Sequence, residues 1–241
     1  MNLSTIKRVF FPLVCDNCGE IIPLGRTFCS CGYRVLPRVS DSFCEHCGAE
    51  TDNCCCDCFG SAFLTHITAP FFYSDEIKES ILNLKFHGKV DEADFLGHEM
   101  SLRFSEAFPG VTPDYVCAVP MTQGKIQMRG YNQSELLAAQ ICEELYLTFA
   151  PLLYKVKDTL NQHNLSKDDR LNNLKSAFSV NDAFELAGKT VLLCDDIKTT
   201  GTTLKECSDV LFRAGAKDVY CLCAAITDYF VPADKKLGKN R

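Results

Sequence analysis

Asp195 and Asp196 are the residues around which chemistry can be built. They follow the apolar run Val191-Leu192-Leu193-Cys194 and precede Lys198 and the small-residue stretch Thr199-Thr200-Gly201-Thr202-Thr203. The apolar run predicts a strand covered on both faces, with the two carboxylates at its carboxyl end. Apolar spacing over Leu204–Ala214 predicts a helix directly after the loop. A loop of hydroxyls and one glycine at a helix N-terminus can surround a phosphate with backbone N–H groups, while the helix dipole favours the anion. Two carboxylates just ahead of it would reach the hydroxyls of a sugar attached to that phosphate. The pattern therefore points to a pocket for a phosphorylated ribose. A plainer alternative, in which the aspartates end a strand and the threonines cap a helix, leaves much of the pattern unused. Neither GxGxxG after a strand nor GxxxxGK[ST] occurs, which argues against the other common nucleotide-binding loops.

An apolar strand, two acids, two spacers and Thr-Thr-Gly-x-Thr closely resembles the phosphoribosyl pyrophosphate (PRPP) signature of the type I phosphoribosyltransferases. The resemblance implies that Asp195 and Asp196 bind the ribose 2′- and 3′-hydroxyls at the catalytic centre. It implies that Thr199, Thr200, Gly201, Thr202 and Thr203 hold the 5′-phosphate, with Lys198 also among the substrate-binding residues.

The elements that must carry this loop alternate along the chain. Residues 59–70 read as a linker ending at Pro70. Ile77, Ile81, Leu82 and Leu84 have helical spacing over Asp75–Phe86, closed by the basic turn Lys85-Phe86-His87-Gly88-Lys89. A second helix is expected over Glu92–Phe108, with Phe95, Leu96, Met100, Leu102 and Phe104 inward and Pro109-Gly110 stopping it. Tyr115–Pro120 is a second buried-type strand, followed by Met121-Thr122 and a flexible stretch, Gln123–Arg129. A helix over Glu135–Leu145 and a strand over Leu152–Val156 come next. Asn161–Lys175 is polar and loop-like with a short helix near Asp168–Leu174, and Phe178 and Val180 lead into a hairpin-like segment. Asp218–Ile226 forms the last strand. Strands alternating with helices predict an α/β fold with a parallel sheet covered on both faces, and ligands at the strand carboxyl ends. His87 and His98 are expected to be ordinary surface or half-buried histidines.

The 16 cysteines are uneven. Cys117, Cys142, Cys194, Cys207, Cys221 and Cys223 sit in apolar contexts and read as small core residues. The others cluster between Cys15 and Cys58. Cys-x2-Cys pairs followed by Gly19 and Gly48, with Gly32 after a third pair, are the turns of zinc ribbons. Cys15, Cys18, Cys29 and Cys31 would form one Zn2+ site and Cys44, Cys47, Cys55 and Cys58 a second. The shortened Cys29-x-Cys31 makes the first site irregular. Cys54 and Cys56 compete for a position in the second, and His46 lies close by. One structural zinc or two is left open. Disulfides are the alternative, disfavoured where thiols are kept reduced. The expected division is a Cys-rich domain over 1–66 and a sheet domain over 67–241.

A net charge of −6 and 46% hydrophobic content describe a folded chain that is not basic overall. That argues mildly against a protein devoted to gripping a nucleic-acid backbone, without excluding a local groove. Lys85, Lys89, Lys125, Arg129, Lys155, Lys157, Lys167, Arg170 and Lys175 could surround the pocket. No apolar run has the length of a membrane span, and Lys7-Arg8 before Val9–Cys15 makes a poor signal peptide, so a cytoplasmic protein without membrane insertion is expected.

Several separated blocks resemble the ComF family, phosphoribosyltransferase-like proteins linked to bacterial DNA uptake. They are Phe11-Pro12 before Cys15-x2-Cys18-Gly19, the second ribbon, Leu84–Lys89, Val119-Pro120, Arg129-Gly130-Tyr131-Asn132-Gln133, Thr159-x2-Gln162-x2-Leu165, Arg170-x2-Asn173-x3-Ala177-Phe178 and the PRPP signature. The resemblance covers nearly the whole chain. It implies a Rossmann-like type I phosphoribosyltransferase domain with a small N-terminal double zinc ribbon. It further implies that Val119-Pro120-Met121-Thr122 is the pyrophosphate loop and that Lys85 and Arg129 neutralise the pyrophosphate, with Mg2+ carried by PRPP. Lys125 and Gln127 occupy a stretch richer in arginine in relatives, consistent with weaker pyrophosphate binding. Two functions follow. One is transfer of phosphoribose to an unknown acceptor; the other is a PRPP- or nucleotide-binding module that helps single-stranded DNA and other uptake proteins without turnover.

Overall fold

The computed structural model describes residues 15, 18–21, 38–40, 42–46, 48, 65–156 and 177–227. Five strands make one parallel sheet. β1 (Thr65–Thr68) and the short β2 (Phe71–Phe72) both pair with β7 (Asp218–Ile226), β7 pairs with β6 (Thr190–Lys198), and β6 pairs with β3 (Tyr115–Ala118) at the opposite edge. Residues 65–68, expected within a linker, are thus an edge strand. Their Thr-His-Ile-Thr pattern is too short and too polar to announce itself without the neighbouring β7.

β6 and β7 read as continuous apolar runs because both faces are covered. On one face lie α1 (Asp75–Phe86), α2 (Glu92–Ala107) and α4 (Gln133–Leu145), whose Ile77, Ile81, Leu84, Leu96, Met100, Leu137 and Ile141 pack on Val116, Leu192, Cys194 and Leu222. On the other lie α5 (Thr202–Arg213) and an antiparallel pair, β4 (Leu153–Lys155) and β5 (Phe178–Val180). The strand expected over Leu152–Val156 is therefore not part of the parallel sheet. Among the scattered cysteines, Cys117, Cys194, Cys207, Cys221 and Cys223 are buried and Cys142 half-buried. Burial pushes the Cys221 thiol up to about 12, which keeps it an inert core group.

Two further expectations change. Gln123–Arg129 is a helix, α3, with no buried residue, so no apolar stripe could have announced it. In α2, Leu102 is exposed, while Glu99 and Arg103 are buried. A charged residue at a core position breaks the apolar period, and only its partners explain it. Glu99 is 2.8 Å from Arg38 Nη1, and Arg103 donates to Thr68 Oγ1 and the Ser40 carbonyl while lying over the Phe43 ring. Those contacts fasten Arg38, Ser40 and Phe43 to α2 and the β1 edge. The backbone adds Val39 N–H to the Pro70 carbonyl and Ile67 N–H to the Glu45 carbonyl.

Candidate functional site

Contrary to the expected strand end, Asp195 and Asp196 lie inside β6, which continues to Lys198 on its β7 side. On its other side the ladder stops early, because β3 ends with the Ala118–Cys194 pair. The two carboxylates therefore sit where β6 has lost one neighbour, at the carboxyl end of the shorter strand. That is the crevice in which open α/β sheets take ligands.

The first turn of α4 meets them there. Gln133 Nε2 donates to Asp196 Oδ2 at 2.7 Å, and Ser134 Oγ donates to Asp195 Oδ1 at 2.9 Å. Adjacent residues on the helix thus hold adjacent residues on the strand. Lys85, at the end of α1, also reaches Asp196 Oδ2, at 2.8 Å, and the Asp196 backbone N–H donates to Asp195 Oδ1. Each carboxylate has one oxygen engaged. Asp195 Oδ2 and Asp196 Oδ1 take no hydrogen bond from the described residues. Burial, reinforced by the neighbouring Asp196 charge, pushes Asp195 up to about 7, although Ser134 and the Asp196 N–H pull the other way.

The segment that presents α4 is built from Arg129-Gly130-Tyr131-Asn132. Gly130 adopts φ +88° at the end of α3, a left-handed turn that a side chain resists. Asn132 caps α4 by accepting from the Ser134 N–H, and its Nδ2 donates to the Val119 carbonyl, tying the cap to Val119-Pro120-Met121-Thr122. The Tyr131 hydroxyl donates to the Leu84 carbonyl, joining the same turn to α1. Arg129 donates to Gln133 Oε1 and places its guanidinium 4.9 Å from the Phe86 ring centroid. Lys85 and Arg129 are therefore brought to the carboxylate pair, one directly and one through Gln133. Thr122 is buried, and its hydroxyl has no hydrogen-bond partner among the described residues. Sequence reasoning assigned no role to Gln133 and Ser134. A polar Asn-Gln-Ser group opening an apolar helix was the signal that could have found them.

Just past the carboxyl end of β6, Thr199 and Thr200 are exposed, and Gly201 (φ +80°) caps α5, which starts at Thr202. Glycine is favoured at 201 by that dihedral, and an added Cβ would stand 3.3 Å from Lys198 Cε, so the lysine chain would also have to shift slightly. Lys198 itself is buried. Thr200 and Thr202 hydroxyls are 2.9 Å apart beside the exposed N-terminus of α5, and the Thr202 N–H donates to Thr200 Oγ1, so hydroxyls gather at a helix end whose dipole favours an anion.

Of the eight expected zinc ligands, Cys15, Cys18 and Cys44 are described; Cys29, Cys31, Cys47, Cys55 and Cys58 lie outside the described residues, as do Lys157, Lys167, Arg170 and Lys175. The two described turns match. Gly19 N–H donates to the Cys15 carbonyl at 2.8 Å and Gly48 N–H to the Cys44 carbonyl at 2.7 Å, with φ +72° and +73°. No described helix is long and apolar enough to cross a membrane.

Residues 132–237, from the Asn132 cap onward, match the phosphoribosyl transferase domain family. The DNA utilization protein YhgH of Escherichia coli (strain K12) is 31% identical over 160 residues, 64% of this chain and 70% of that protein. Competence protein F of Haemophilus influenzae is 37% identical over 109 residues, 44% of this chain and 48% of that protein. Competence protein ComFC of Bacillus subtilis is 26% identical over 192 residues, 75% of each. The parallel sheet, its flanking helices and the domain match together identify a type I phosphoribosyltransferase fold.

Proposed function

Because the chain belongs to the competence-protein family that includes the DNA utilization protein YhgH, we propose that it binds PRPP and transfers phosphoribose to an acceptor during the handling of DNA in the cytoplasm. The observation that carries this reading is the half-engaged acidic pair. Gln133 and Ser134 fix one oxygen of each carboxylate, and the second oxygen of each is left for the ribose 2′- and 3′-hydroxyls. In this reading Thr199–Thr203 and the α5 N-terminus hold the 5′-phosphate. Val119–Thr122, with the unsatisfied Thr122 hydroxyl, faces the pyrophosphate, and Lys85 and Arg129 offset its charge.

Fixing both ends of the sugar phosphate leaves C1 exposed to an acceptor. Holding the reacting atoms in place and stabilising charge at the leaving group are then the sources of rate, and no covalent nucleophile is needed. Mg2+ would arrive with PRPP and neutralise the departing pyrophosphate. The protein's own carboxylates hold the hydroxyls beside the ring while positive charge develops on it.

For residues 1–66 we propose a zinc-ribbon unit joined to a phosphoribosyltransferase unit over 67–241. The matching Cys15–Gly19 and Cys44–Gly48 backbone turns support this reading, and the metal would stabilise a segment with little apolar core. Metal analysis of the purified protein should find one to two zinc per chain, and none would reject this assignment.

Isothermal titration with PRPP and Mg2+ tests the main reading. Wild type should bind, and the double substitution Asp195→Asn/Asp196→Asn should lose about 100-fold or more in affinity. Equal binding by the two proteins, or none by wild type, would reject it.

A further inference from the structure

Ala93, Gly97 and Ser101 stand one turn apart on α2, and all three are buried. Small side chains at i, i+4 and i+8 let a second helix approach closely. Gly97 has no need of glycine's backbone freedom, since it lies inside α2 without a left-handed φ, where alanine is the better helix former. Its neighbour supplies the reason for glycine. A Cβ added at 97 would stand 2.6 Å from both Cβ and Cγ of Gln140 on α4, and 3.6 Å from the Leu137 carbonyl oxygen. Gln140 Cβ is rooted on the helix backbone and cannot rotate aside. Alanine at 97 therefore requires the two helices to separate by about 1 Å before ordinary contact returns. Beside this contact, His98 Nδ1 lies 3.2 Å from both oxygens of Glu144, to which Gln140 Nε2 also donates. The same helix pair is thus pressed together at Gly97 and clasped at His98.

We infer that Gly97 is a positioning residue for the acidic pair: by letting α2 and α4 touch, it sets where the first turn of α4 stands, and so whether Gln133 and Ser134 reach Asp196 and Asp195. The inference deepens the PRPP-binding reading of that pair and rests on it. Gln140 follows Gln133 on the same helix by about two turns, roughly 10 Å along a stiff rod, so a push at one is felt at the other. The bonds from Gln133 and Ser134 are 2.7 and 2.9 Å long. Hydrogen bonds fail beyond about 3.5 Å, so a shift of about 1 Å along them breaks both. Carboxylates released from their donors no longer present their second oxygens in a fixed direction. Gly97 touches neither carboxylate and acts through α4 alone.

Two readouts on the full-length protein test this, and the first needs no ligand. With carbon-13 in the aspartate carboxyls, NMR follows the titration of Asp195 and Asp196. Gln133 and Ser134 favour the ionised forms, so their withdrawal in Gly97→Ala should move the titration of the pair to higher pH than in wild type. In the second readout, calorimetric titration with PRPP and Mg2+, Gly97→Ala should bind about tenfold more weakly. Adding Gln140→Gly removes both clashing atoms and should restore the carboxyl titration, with affinity within about twofold of wild type. An unmoved titration in folded Gly97→Ala overturns the inference, as does a shift that Gln140→Gly leaves in place. Should Gly97→Ala not fold, Glu144→Ala takes its place. It opens the His98 clasp without adding an atom and should shift the titration the same way; no shift would overturn the inference. If wild type binds no PRPP while the titration moves and is restored, the binding reading falls and the positioning role stands. If PRPP binds wild type and Gly97→Ala alike, the positioning role falls alone.

Discussion

Two buried acidic sites in this protein look alike in composition and differ in what they leave over. On α2, Glu99 has a fully buried side chain and faces Arg38, with Arg103 one turn further on binding the Ser40 carbonyl and Thr68. On β6, Asp195 and Asp196 are held by a serine, an amide and a lysine. The first site joins two parts of the chain through a carboxylate and an arginine. The second fixes its carboxylates largely with neutral donors and leaves an oxygen on each unengaged by the described residues. A buried charge spent on its own fold serves as a latch, and one held in place but incompletely coordinated is ready for a ligand.

The largest effect should come from breaking the latch. Glu99→Ala removes the buried carboxylate that Arg38 faces and should lower unfolding free energy by about 3 kcal/mol in urea, because a buried ion pair is broken from one side. PRPP affinity of the folded fraction should stay within about twofold of wild type, within ordinary scatter for distant sites. A large affinity loss with intact folding would show that the latch and the acidic pair are one unit.

Gln133→Leu should do the reverse. It deletes the donor to Asp196 and the acceptor of Arg129, so PRPP should bind about tenfold more weakly, with stability changed by about 1 kcal/mol. Gln133 is a positioning residue, and Gln133→Glu is the sharper companion. A carboxylate there keeps the Arg129 partner but repels Asp196, so affinity should fall further than in the leucine variant. Recovery of wild-type affinity by either variant would remove Gln133 from the site.

The pH dependence separates the two regions again. Asp195 is raised in the folded protein to about 7, above its ordinary carboxylate value, so the fold binds its proton more tightly than the unfolded chain does. Its contribution to stability is complete below about pH 4 and is lost as pH rises through 7. Asp195→Asn, which cannot ionise, should therefore melt higher than wild type at pH 8 and equally at pH 4, by differential scanning calorimetry. An equal melting difference at both pH values would show that Asp195 is not held in a raised state. Ser134→Ala removes a hydrogen bond that favours the ionised form. It should cost about 1 kcal/mol at pH 8 and widen the same pH dependence. The smallest effect is expected on α3, which buries nothing: Met128→Gln should change stability by less than about 0.5 kcal/mol.

The sequence spoke clearly wherever the signal was local. Val191–Cys194 is apolar because β6 has neighbours on both sides and layers on both faces, and Asp218–Ile226 was legible at its full length for the same reason. Thr199–Thr203 was legible as the turn from β6 into α5 because small polar residues around a glycine carry no apolar period and Gly201 accepts the left-handed conformation there. The β1 strand, helix α3 and the inward Glu99 and Arg103 were not, since each is stabilised by partners distant in sequence rather than by its own pattern.

By itself, then, the sequence determined the alternating α/β architecture, the acidic pair and the threonine loop, because strand burial and loop chemistry are written in consecutive residues. Only the tertiary structure decided which side chains complete the pair. Gln133 and Ser134 stand 63 and 61 positions before the carboxylates they hold. No local period links such positions. They meet because β3 stops at Ala118, leaving the edge of β6 open at the level where α4 begins.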